Sequence, residues 1–149
     1  MKTLVIGIGN PLRGDDGLGW QAVQALKTLE AEVETLVCHG LVPELAETLA
    51  QVDHVIFVDA DAGAVPGLLY CRPLSTEAAP EAFSHHLTPA GLLALAQRLY
   101  GRRSEAHLVS LGAADFDVRE GLSPQVAAAL PVLVACLCDL VEDCEVGRA

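Results

Sequence analysis

Three side chains able to hold a divalent metal each stand near the expected end of a buried segment. Asp16 lies beyond the apolar run Thr3-Leu4-Val5-Ile6-Gly7-Ile8-Gly9 and its loop. Asp59 closes Val55-Ile56-Phe57-Val58, and His85 belongs to Ser84-His85-His86, just ahead of a helix start. In open α/β sheets, ligands sit in the crevice beyond the carboxyl ends of the strands. Two carboxylates and an imidazole converging there suit nickel or zinc. Three ligands without a fourth leave one position open, as catalytic metal sites do.

Each residue also has a purely structural use. Asp15 and Asp16 precede a helix, where acids cap the N-terminus and favour its dipole. The pair permits a division, one capping and the other turned to the crevice. Asp59, at the end of a buried parallel strand, must be paired, coordinated or solvent-facing. His85 and His86 are adjacent, so at most one of them faces a shared site. His39, His54 and His107 lie on or beside strands and read as packing or surface residues.

Other chemistries find less support. Gly7-Ile8-Gly9-Asn10-Pro11-Leu12 starts like a dinucleotide fingerprint, but Leu12 stands at the third glycine and Pro11 disrupts the turn. Gly7 and Gly9 instead allow tight packing of strand against loop. There is no Gly-Lys-Ser/Thr phosphate loop, and no Ser or Cys sits in a nucleophile elbow.

The elements that must position these residues follow from periodicity. Residues 3–8, 33–38, 54–58 and 107–111 read as strands. A helical stripe runs through Leu18, Ala22, Ala25, Leu26 and Leu29. A second helix follows Pro43 through Leu45 and Leu49. Thr88-Pro89 and Ser123-Pro124 each read as N-cap and first helical residue, and Pro131 should kink the last helix. Between Asp61 and Phe83 the chain reads as loop with one short edge strand near residues 68–72. Alternation of this kind predicts one α/β domain over residues 1–149, a mostly parallel twisted sheet flanked by helices on both faces, with a frayed end from about 143.

Composition narrows the class. The 149 residues are 52% apolar, enough for one substantial core, and carry a net charge of -11. That charge argues against nucleic acid, whose binding rests on basic residues. Arg98, Arg102 and Arg103 read as a solvated helix end. The five cysteines, Cys38, Cys71, Cys136, Cys138 and Cys144, are odd in number and form no Cys-x-x-Cys. They read as reduced thiols in a cytoplasmic protein. The apolar run Val126–Cys138 falls short of the about 20 residues a membrane span needs, so no membrane is expected.

Gly7-Ile8-Gly9-Asn10-Pro11-Leu12-Arg13-Gly14-Asp15-Asp16-Gly17-Leu18-Gly19 resembles the N-terminal signature of the nickel–iron hydrogenase maturation endopeptidases. Val58-Asp59-Ala60 with Pro66-Gly67, Ser84-His85-His86-Leu87, and Gly121-Leu122-Ser123 after Phe116 are similar to that family's later blocks. The resemblance implies a cytoplasmic protease that trims a C-terminal extension from the hydrogenase large-subunit precursor after nickel insertion. The nickel held by the substrate would serve as the recognition mark, with Asp16, Asp59 and His85 as its contacts. It selects His85 over His86 by the spacing to Leu87. Where many members carry Gly-Gly after the second strand, this chain has Cys38-His39-Gly40-Leu41-Val42-Pro43-Glu44-Leu45, similar to the subgroup serving soluble, cofactor-reducing hydrogenases. The alternatives are a non-catalytic nickel-binding chaperone that docks the precursor uncut and a generic metallohydrolase acting on a small substrate.

Overall fold

Residues 3–8 are predominantly apolar, and such a strand is stable only with both faces covered. In the computed structural model this strand, β1 (Thr3–Ile8), is buried at all six positions and is flanked by neighbours on both sides. The structure describes residues 2–29, 31–75, 87–102 and 104–146. After β1 come a 3-10 turn (Gly14–Gly17), α1 (Leu18–Thr28), β2 (Glu34–Cys38), α2 (Leu45–Leu49) and β3 (His54–Pro66). Then follow β4 (Leu69–Pro73), α3 (Pro89–Tyr100), β5 (Glu105–Gly112) and α4 (Pro124–Val146). The strand order is β2-β1-β3-β5-β4, parallel throughout except for β4, which pairs antiparallel with β5 at the edge.

Side chains alternate across a strand, so each strand feeds two cores. Val5, Ile56, Val58, Val109 and Leu111 face α1 and α4, where Leu18, Leu26, Leu133 and Leu137 complete the cluster. Leu4, Ile6, Val55 and Phe57 face the other way, against Leu49 of α2 and Leu92 and Leu93 of α3. The α/β fold with helices on both faces, expected from the alternation, is the one observed.

Several boundaries differ from the sequence reading. β3 does not stop at residue 58: Asp59, Ala60 and Asp61 continue the ladder with Ser110, Leu111 and Gly112, and pairing resumes at Pro66 after an irregularity. The proline- and glycine-rich stretch expected as loop therefore begins as strand, because β5 offers it a partner. The edge strand expected near 68–72 is β4. Pro43 lies ahead of the Glu44 cap instead of in the first helical turn. Thr88 caps α3 as expected, accepting a hydrogen bond from the Gly91 N–H at 3.0 Å, with Pro89 following. α4 starts at Pro124, directly after Ser123, as expected, and the Ser123 hydroxyl donates to Asp15, at 2.8 Å. α4 continues past Glu142 to Val146 with Pro131 inside it. One stretch of α4, Pro124–Asp143, is long and apolar enough to cross a membrane; here Val126, Leu133, Leu137 and Val141 are buried against the rest of the core.

Candidate active site at the crevice between β1 and β3

From β1 the chain crosses to β2 on one side of it, and from there to β3 on the other, so the sheet's order reverses at β1. Such a reversal opens a crevice at the carboxyl ends of the two central strands. Pairing of β1 with β3 ends at Gly7 and Val58. Asp59 is the next residue on β3, and the loop after β1 carries Asp16. The topology thus brings two of the three residues expected from the sequence to one place. His85, with His86, lies outside the described residues. Among the described residues, no three His, Cys, Asp or Glu side chains form a metal-holding group.

The loop that presents Asp16 is held tightly. Its Oδ2 accepts the Asn10 N–H at 2.9 Å, and Asn10 Oδ1 in turn accepts the Leu12 N–H at 2.9 Å. Gly9 has a φ of +135°, and a Cβ there would collide with the Asp16 carbonyl. Only glycine meets both demands. Asn10 was not singled out in the sequence, although Asn before Pro is a recognised turn-former.

Asp59 is half-buried, and its Oδ1 accepts the Ala60 N–H at 2.8 Å. Burial pushes its carboxyl up to about 7, against the Ala60 hydrogen bond and with the charges of Asp16 and Asp61 adding. The Cys38 thiol, at the end of β2, is raised by burial and by the charge of Asp59. The Cys38 carbonyl accepts from Gly9 N–H at 2.9 Å and from the Trp20 indole at 3.3 Å. The Trp20 and His39 rings lie 5.3 Å apart. This wall around the carboxylates was not legible from the sequence, since it depends on β2 lying beside β1.

The division between Asp15 and Asp16 is real, but Asp15 does not cap α1, which has no side-chain cap. Asp15 is fully buried. Its Oδ2 accepts Ala114 N–H, Asp115 N–H and Ser123 Oγ–H, and its Oδ1 accepts Ser123 N–H, at 2.7–3.0 Å. Burial alone would raise this carboxyl; the hydrogen bonds from Ser123, Ala114 and Asp115 outweigh it and hold it below the usual range. Asp15 therefore anchors the loop after β5 beneath the loop that bears Asp16.

An open α/β domain with paired carboxylates at its switch point is the class of molecule defined here. Within that class the chain resembles the hydrogenase maturation endopeptidases. It is 27% identical to the hydrogenase maturating endopeptidase HybD from E. coli, with a TM-score of 0.75 and 96% of this chain and 93% of that one covered. An endopeptidase from Escherichia coli is 28% identical, with a TM-score of 0.71 and coverage of 92% and 90%. The fold is also that of the [NiFe] hydrogenase maturation protease HycI from Thermococcus kodakarensis KOD1, at 24% identity, a TM-score of 0.75 and coverage of 95% and 92%. No family model and no curated protein matches the chain. The family resemblance carried by the sequence motifs holds in three dimensions.

Proposed function

We propose that this protein is a cytoplasmic endopeptidase that removes the C-terminal extension of a nickel–iron hydrogenase large-subunit precursor once nickel is in place. The observation that carries the reading is the Asp16–Asp59 pair at the switch point of a chain 27% identical, over 96% of its length, to a named hydrogenase maturating endopeptidase. The donor set fits a metal that arrives with its substrate. Two carboxylates with one imidazole would make a site of moderate affinity, which samples a metal without keeping it. Asp16, Asp59 and His85 would hold the precursor's nickel, which supplies polarisation of the scissile carbonyl. A carboxylate at the site would take a proton from the attacking water and return it to the leaving amine.

The test is the intact mass of a nickel-loaded precursor and of its metal-free form, each before and after incubation with this protein. Loss of one defined C-terminal peptide from the loaded form alone is the expected result. Complex formation without a mass change would favour the chaperone reading. Cleavage regardless of nickel would remove the recognition role of the metal. His85→Ala is expected to abolish processing with an unchanged circular dichroism spectrum, and full activity in that variant would take His85 out of the site.

A further inference from the structure

Cys71 and Cys136 come together at the β4 edge of the sheet, on the face that α4 covers. In β4, Leu69 and Cys71 are two residues apart and so share a face. They stand opposite Leu111 and Val109 of β5. Both of those belong to the core cluster covered by α4, and Leu69 and Cys136 pack against the same cluster. α4 passes close to the turn before β4, where a Cβ on Gly67 would lie 3.1 Å from the Gln125 carbonyl. From Gln125 to Cys136 the helix rises about 16 Å, and from Gly67 to Cys71 the chain extends about 13 Å. Over that span both elements reach their cysteines, and the Cys71 thiol lies close enough to Cys136 to raise its pKa.

We propose that Cys71 and Cys136 are a redox pair, closing to a reversible disulfide that fastens the edge strand β4 to α4. Both are free thiols in the structure, Cys71 exposed and Cys136 half-buried. Neighbouring Cys138 borders the groove between α1 and α4 instead, beside Ala25 and Leu29, so it does not compete for Cys71. The oxidant is a small disulfide such as oxidised glutathione. The exposed Cys71 thiolate attacks one of its sulfurs, and one glutathione thiolate leaves and is protonated. Cys136 then gives up its proton and attacks the Cys71 sulfur, releasing the second glutathione. Two protein thiols are oxidised, one disulfide is reduced, and both protons end on glutathione. Burial, then the neighbouring Cys71, holds the Cys136 thiol up at about 11, so closure is slow at neutral pH and quickens as pH rises.

Oxidised glutathione is incubated with the full chain, and a protease digest is mapped by mass spectrometry without reduction. The expected product is a peptide pair linked through Cys71 and Cys136, lighter by two hydrogens than its reduced parts. Closing so long a loop raises the melting temperature by roughly 5 to 15 °C, reversed by dithiothreitol. Cys136→Ser is expected to stop at a stable glutathione adduct on Cys71, with no rise in melting temperature. A wild-type chain that keeps glutathione on Cys71 with Cys136 reduced would overturn the pairing, as would a link from Cys71 to any other cysteine.

Discussion

At the scale of single residues, Asp59 carries a cost in stability, and the proposed function gives that cost a use. Its carboxyl moves from 3.8 to about 7 on folding, burial being the first cause and the charges of Asp16 and Asp61 contributing. Below pH 3.8 both folded and unfolded chains hold the proton, and there is no penalty. Between 3.8 and about 7 only the unfolded chain ionises, so stability falls as pH rises, then levels off. Asp59→Asn is expected to be more stable than the parent by about 2 to 4 kcal/mol at pH near 8, and no more stable at pH near 3.5. Denaturant midpoints at the two pH values check this; an equal gain at both would show that ionisation is not the cause. The residue was legible because an acid directly after four buried apolar positions needs a reason. Asn10 and Cys38 were not legible, since their parts come from a neighbouring loop and strand.

At the scale of elements, the site depends on how closely α1 approaches the sheet. A Cβ on Gly19 would lie 2.6 Å from Ile8 N and 2.8 Å from both the Ile8 and Val58 carbonyls, and one on Gly7 would strike the Gly19 carbonyl. Helix and strand thus touch backbone to backbone at the ends of β1 and β3. Gly19→Ala must lift the first turn of α1 from the crevice, at a cost of about 1 to 3 kcal/mol. Its melting temperature is expected to fall by roughly 3 to 10 °C. Processing should fall further than the folded fraction does, because Asp16 immediately precedes that turn. Gly40→Ala, where a Cβ meets nothing within 4 Å, is the stability control. If both variants melt alike, the close approach carries no energy. The strands and amphipathic helices could be read from periodicity, which is local. The continuation of β3 beyond Val58 could not, because Asp59 and Asp61 extend only against β5, some fifty residues later.

At the scale of the whole molecule, Asp15 joins parts of the chain about a hundred residues apart. Its carboxylate receives N–H groups from Ala114, Asp115 and Ser123, while Gly14 and Asp15 donate to the Arg119 and Asp115 carbonyls. The loop bearing Asp16 thus takes its shape only when the loop between β5 and α4 lies under it. A sequence reading sees two adjacent acids before a helix and assigns one to a cap; the actual donors are beyond any local pattern. The Asp15 carboxyl is held below its ordinary 3.8, so the stability it contributes is present above that value and is lost as pH falls through the lower folded one. Asp15→Ala leaves three N–H groups without their acceptor, of which that of Ser123 is buried, at about 1 to 3 kcal/mol for that group. Native-state hydrogen exchange at neutral pH is expected to show Ala114, Asp115 and Ser123 losing protection in this variant. Ile6 and Ile56, in the central ladders of β1 and β3, should exchange only through global unfolding. Protection lost evenly across the sheet would make Asp15 a determinant of the whole fold instead of the fastening of the loops around the proposed site. Local loss with the sheet intact is what this geometry requires, and with it the proposed processing should be lost.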